Sequence, residues 1–172
     1  PAAPSGLKAT AISGSQIDLN WLDNSNNEEW FWIERSWDGV AFFPILPVGA
    51  NVTSYSDTGL PLGTPLWYRT RSYNANGYSA YSNVASATTY LPPDVPGSLA
   101  ATAVSGSQIN LSWIDSSNNE DGFKIERGTD GVNFAQIAAV AANATTYGDA
   151  GLAAQTTYYY RIKSYNPAGD YG

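Results

Sequence analysis

Hydrophobic and polar residues alternate along this chain with a period of two. Ile17, Leu19 and Trp21 are separated by Asp18 and Asn20, and Phe31 and Ile33 are interleaved with Trp32 and Glu34. Successive side chains of an extended strand point to opposite faces, so this spacing gives strands with one buried and one wet side. On the same reading Tyr68 points inward, and Trp67, Arg69, Arg71 and Tyr73 point outward. The short strands are punctuated by turn signals such as Ser13-Gly14 and Asp38-Gly39. No stripe of helical period runs for ten residues. The expected class is all-β, with about seven short strands per roughly 90 residues, the arithmetic of an antiparallel two-sheet sandwich.

That pattern occurs twice. An offset of 92 residues lays the chain on itself without a gap: Ser13-Gly-Ser-Gln-Ile17 meets Ser105-Gly-Ser-Gln-Ile109, and Trp21 meets Trp113. Ser25-Asn-Asn-Glu28 meets Ser117-Asn-Asn-Glu120, Ile33-Glu-Arg35 meets Ile125-Glu-Arg127, and Tyr73-Asn74 meets Tyr165-Asn166. A gapless match of this length is a duplicated domain. The expected division is residues 1–89, a linker at 90–96, and residues 97–172. The linker, Tyr90-Leu-Pro-Pro-Asp-Val-Pro96, is rich in proline and favours an extended, semi-rigid form that would hold the two modules apart.

Each copy resembles a fibronectin type III domain, an immunoglobulin-like sandwich, of the variety found in exported bacterial proteins. The resemblance rests on Pro4 with Leu7, on Trp21, and on Asn27-Glu28 followed by Phe31-x-Ile33-Glu-Arg35. Leu60-x-x-x-Thr64, Tyr68-Arg-Thr-Arg-Ser-Tyr-Asn74 and Ser82-Asn-Val-Ala-Ser-Ala-Thr88 complete it. It implies two sheets, A-B-E and C′-C-F-G. It also implies a tyrosine at the start of strand F whose hydroxyl ties down the preceding loop. Tyr158 fits that role, whereas the first copy has Leu66. Gly172 aligns with Ala80, so the second copy is expected to lack a counterpart of Tyr81–Thr89, its last strand, and to leave a strand edge open.

Composition narrows the function. The net charge is −7, with only eight basic residues, which disfavours nucleic acid and anionic membrane surfaces. There is no histidine and no cysteine, so the familiar nucleophile–base pairs and zinc–thiolate sites cannot be assembled. No apolar run approaches the roughly 18 residues of a membrane span. The opening Pro1-Ala-Ala-Pro4 lacks the pattern of a signal peptide, so a mature or excised chain is expected. Glu28, Glu29 and Glu34 form the densest acidic cluster, but Glu28 and Glu34 recur as Glu120 and Glu126, which suits a role in the fold. Asp23-x-Ser25-x-Asn27 loosely echoes a calcium loop, yet its sixth position is Glu28 instead of glycine, and a polar loop with Asx turns is expected. Asn51, Asn110 and Asn143 open Asn-x-Ser/Thr triplets, ascribed here to chance. No enzyme activity, cofactor or metal is expected.

The informative signal is the difference between the copies. Trp30, Trp32, Trp37 and Trp67 stand where the second copy has Gly122, Lys124, Thr129 and Tyr159. Phe43-Pro-Ile-Leu-Pro47 stands where it has Ala135-Gln-Ile-Ala-Ala139. A binding surface is therefore expected on the first copy, made of Trp30, Trp32, Trp37, Trp67, Tyr73 and Phe43, because several hundred Å² of exposed apolar surface usually marks a contact. The expected function is a non-catalytic spacer and interaction module, extracellular or at the cell surface, touching protein: a neighbouring domain, a partner or a second copy. The alternatives are a carbohydrate-binding accessory module of a polysaccharide-degrading enzyme, and an engineered binder on this scaffold.

Overall fold

The computed structural model describes all 172 residues, and its regular elements are all strands. They form two compact units, Pro1–Tyr90 and Leu91–Gly172. Unit 1 contains β1 (Ser5–Ala11), β2 (Gln16–Leu22), β3 (Trp30–Ser36), β4 (Phe43–Gly49), β5 (Ser54–Thr58), β6 (Pro65–Asn74), β7 (Gly77–Tyr78) and β8 (Ala85–Thr88). Unit 2 contains β9 (Gly97–Ser105), β10 (Gln108–Ile114), β11 (Gly122–Gly128), β12 (Ala135–Ala141), β13 (Thr146–Ala150), β14 (Tyr159–Asn166) and β15 (Gly169–Tyr171).

In unit 1 a sheet β1-β2-β5 faces a sheet β4-β3-β6-β7, with β8 also paired to β6. Unit 2 repeats this as β9-β10-β13 facing β12-β11-β14-β15. All pairings are antiparallel. Between the sheets of unit 1 lie Ile17, Leu19, Trp21, Phe31, Ile33, Leu66 and Tyr68, the inward set that the period-two pattern selects. Trp21 and Trp113 are buried at equivalent places, each tilted against a phenylalanine: Phe31 at 5.8 Å and Phe123 at 5.6 Å.

Each core also holds a polar cross-tie. Asp57 on β5 is buried and accepts hydrogen bonds from Arg35 of β3 at 2.9 Å and from the Tyr68 hydroxyl of β6 at 2.9 Å. Asp149, Arg127 and Tyr160 repeat it in unit 2 at 2.8 Å for both bonds. A buried carboxylate is tolerable only when paired and hydrogen-bonded, and here the pairing joins opposite sheets. Burial first, and then the Asp57 charge, push the Tyr68 phenol well above its ordinary value of 10.0.

The loop before strand β14 is tied as the resemblance implies: the Ala153 N–H donates to the Tyr158 hydroxyl at 3.0 Å. Unit 1 solves the same problem differently. Leu66 is fully buried, and Thr89, just past β8, takes over the loop: its Oγ1 accepts from the Thr64 N–H at 2.8 Å and donates to the Pro61 carbonyl at 2.7 Å. Within these 172 residues β14 has no counterpart of β8. Its last residues, Ser164–Asn166, pair with β15, and Tyr159–Lys163 pair with β11 alone. The proline-rich stretch runs along unit 2, where Asn166 donates to the Leu91 carbonyl at 2.8 Å and Ser164 to the Asp94 carbonyl at 2.8 Å.

Candidate functional site

The outward face of β3 and β6 in unit 1 carries most of the aromatic residues singled out above. Directly opposed residues in an antiparallel pair share a face. Trp30 opposes Tyr73, Trp32 opposes Arg71, and Glu34 opposes Arg69. On the other flank of β3, Trp30 meets Gly49 and Trp32 meets Pro47. Tyr78 of β7 opposes Tyr73 and closes the group. Its ring lies 4.8 Å from that of Tyr73 and edge-on to Trp32 at 6.3 Å. Trp30 and Tyr78 remain 46% and 49% exposed, while Trp32 and Tyr73 are half-buried.

Beside these rings runs a stack of guanidinium and aromatic groups. Arg71 lies over Tyr78 at 3.9 Å, and Arg69 lies between Tyr81 at 3.8 Å and Phe42 at 4.3 Å. Both arginines converge on Glu34, at 2.7 Å for Arg69 and 3.4 Å for Arg71, and the Tyr81 hydroxyl donates to the same carboxylate at 2.9 Å. Burial, with this hydrogen bond next, raises the Tyr81 phenol from its ordinary value. Glu29 adds a second carboxylate at the rim, where it accepts from the Ala75 N–H at 3.3 Å. Two cations and two anions leave the face electrically balanced on a protein of net charge −7.

The structure does not bring all six expected residues together. Trp67 is on this face, but it opposes Ser36, four residues along β3 from Trp32, which is about 13 Å at the strand rise. Its ring covers the hairpin turn at Gly39, where an added β-carbon would come within 3.3 Å of it. Tyr159 covers Gly131 in the same way, so Trp67 serves the turn. Trp37 lies past the end of β3, with the Arg35 guanidinium 4.9 Å from its ring. Arg35 points to the opposite sheet, which places Trp37 away from Trp30. Phe43 opposes Arg35 and also leaves the face. A bulge between Ile33 and Glu34 shifts the β4 register and reverses its alternation, so Phe42 takes the outward place over Arg69. The residues that cluster are Trp30, Trp32, Tyr73 and Tyr78. Tyr78 was missed because its partner strand is only two residues long, too short for a periodic signal.

Unit 2 shows what the fold requires at these positions. Trp32 and Tyr78 are replaced by Lys124 and Asp170, which form a salt bridge at 2.7 Å across the same two strands. Trp30 is replaced by Gly122, over which the Tyr165 ring folds: a β-carbon there would lie 3.0 Å from the Tyr165 hydroxyl. Arg161 and Lys163 still converge on Glu126. The carboxylate–cation centre is common to both units and the exposed rings belong to one.

The other polar cluster is a turn. Asp23 accepts the Ser25 N–H at 2.9 Å, Ser25 donates to Asn27 at 3.0 Å, and Glu34, which the calcium spacing would recruit, is committed to Arg69 and Arg71. Glu28 is buried and accepts the N–H of Asn51, a residue in the left-handed region with φ of 60°. Glu120 does the same for Asn143.

No family model matches the chain. Among curated proteins it is 29% identical to chitinase A1 of Niallia circulans, over 99% of this chain and 24% of that protein. It is 27% identical to exoglucanase B of Cellulomonas fimi, over 99% of this chain and 16% of that protein. The chain therefore spans a quarter or less of the length of these relatives. Among solved structures, the FN1–FN3 domains of chicken CNTN1 superpose with a TM-score of 0.70 at 16% identity, over 99% of this chain and 63% of that one. With the strand order of both sheets in each unit, this likeness shows that the chain has the fold of two fibronectin type III domains in tandem.

Proposed function

We propose that the chain is a non-catalytic spacer and interaction module of an extracellular polysaccharide-degrading enzyme. Its contact surface is the aromatic end of the β3–β6 face, formed by Trp30, Trp32, Tyr73 and Tyr78. The observation that carries this reading is the exchange between the units. The Lys124–Asp170 ion pair fills those positions in unit 2 without aromatic side chains, which supports the reading that the exposed rings of unit 1 serve something outside the fold. Similarity over the whole chain to segments of a chitinase and an exoglucanase supports the parent class and, through it, the extracellular setting.

The test transplants the residues of unit 2 into unit 1: Trp30→Gly, Trp32→Lys and Tyr78→Asp in the 172-residue protein. We expect unit 1 to stay folded while association is lost: the strand glycine costs about 1 kcal/mol, and the lost ring and cation–π contacts of Tyr78 cost roughly 1–3 kcal/mol more. Association is read as retention on insoluble polysaccharide and as concentration-dependent sedimentation. If the variant keeps every contact of the parent protein, the surface assignment is wrong. Turnover of chito- or cello-oligosaccharides by the 172-residue protein would overturn its non-catalytic character.

A further inference from the structure

We infer that the partner of the Trp30 platform is a neutral polysaccharide, held by stacking of its pyranose rings. This rests on the reading of the face as a contact surface and names what it touches. Size is the first argument. An aromatic side chain has roughly 150–250 Å² to bury. Trp30 and Tyr78 are each about half exposed, so with the free parts of Trp32 and Tyr73 the platform offers about 200–300 Å². A stable protein interface takes about 800 Å² from each partner, whereas one or two sugar rings fit this area.

Shape and charge agree. The rings are carried on adjacent positions of β3, β6 and β7, on one face of one sheet, with Tyr78 tilted 48° from Tyr73 and edge-on to Trp32, so a chain crossing these strands meets separate stacking positions for one or two sugar rings. The axial C–H groups of a pyranose form an apolar patch with slight positive character, which pairs with the electron-rich face of an aromatic ring. The surrounding charges are already matched: Arg71 is bound to Glu34 and stacked on Tyr78, and Glu29 offers the rim a carboxylate that can accept a sugar hydroxyl. An anionic chain would meet an acidic protein, whereas a neutral one meets a balanced face. Unit 2 has an ion pair in place of the rings, so one platform per chain gives weak, local adhesion.

The experiment uses the 172-residue protein with chitin and cellulose as insoluble probes and their hexasaccharides in solution. We expect retention on at least one solid and quenching of tryptophan fluorescence by the matching hexasaccharide, with little change between 0.05 and 0.5 M salt. Trp30→Gly should weaken binding at least tenfold. The double variant Trp32→Lys with Tyr78→Asp, which installs the ion pair of unit 2, should do the same if the glycine variant folds poorly. Binding to neither polysaccharide, or binding equal in parent and variants, overturns the inference. Concentration-dependent sedimentation that the same variants abolish would make the face a protein contact, which refutes the polysaccharide and leaves the contact surface standing.

Discussion

In unit 2 the ring of Tyr158 lies 5.3 Å from the Arg127 guanidinium, and its hydroxyl holds the Ala153 N–H. In unit 1 the Arg35 guanidinium is covered instead by Trp37, and the position of Tyr158 is taken by buried Leu66. Two residues distant in sequence have exchanged the task of covering the same buried ion pair. Tyr158→Leu should therefore destabilise unit 2 by about 1–2 kcal/mol, the sum of a hydrogen bond and a cation–π contact. Adding Thr129→Trp should restore only the cation–π share, a coupling readable in a double-mutant cycle from denaturant melts. Glu28 supplies a second prediction. Hydrogen bonds hold its carboxyl below the ordinary 4.5, its own backbone N–H contributing most, against the opposing effect of burial, with Ser25 and the Asn51 N–H adding to it. A depressed folded value means that the stabilisation is present above the unfolded value and is lost as pH falls through the folded one. Glu28→Gln should cost about 1 kcal/mol at pH 7 and flatten the decline of unit 1 stability below pH 4.5, followed by thermal melts across pH 2–7.

At the scale of strands, alternation alone places Trp30, Trp32, Phe31, Ile33 and Tyr68 on the faces where the structure has them. It fails where something breaks the count. The β3–β4 bulge turns Phe43 out of the face and Phe42 into it, and no local signal at Ile45 announces the extra residue. Trp37 sits beyond the last paired residue of β3, where a period of two no longer governs direction. The Arg35–Asp57–Tyr68 tie was equally hidden, because its members lie on three strands and only their joint recurrence in unit 2 hints at it. Pairing also predicts behaviour. The stretch Trp67–Tyr68 of β6 lies between β3 and β8, whereas Tyr159–Tyr160 of β14 meets β11 alone. Amides of Tyr159–Tyr160 pointing away from β11 should exchange with solvent at least tenfold faster than their counterparts in Trp67–Tyr68. Equal protection in native-state exchange would mean that this edge is covered.

For the whole molecule, the repeat was the most legible feature, since a gapless offset needs no structural knowledge to detect. The aromatic surface was legible as a difference but not as a shape: which rings were consumed by Gly39 and Arg35 depended on contacts that only three dimensions supply. Of the four unmatched tryptophans, two serve the fold of unit 1, and Trp30 and Trp32 remain for the platform.

Neighbours of one fold and much shared sequence on one chain also share a hazard, since a strand of one can enter the sandwich of the other while both are unfolded. The inward positions of β6 and β14 match at Tyr68 and Tyr160 and at Ser72 and Ser164, but differ at Thr70 and Ile162. Thr70 is fully buried, and its hydroxyl donates to the Trp32 carbonyl at 3.0 Å. A trespassing β14 would forfeit that bond and bring the hydroxyl of Tyr158 into the slot that Leu66 fills. On this argument these two positions would act as a lock on strand identity. Making them alike, with Thr70→Ile and Leu66→Tyr, should raise the share of misassembled molecules after rapid refolding, counted by single-molecule unfolding as events with the contour length of two units.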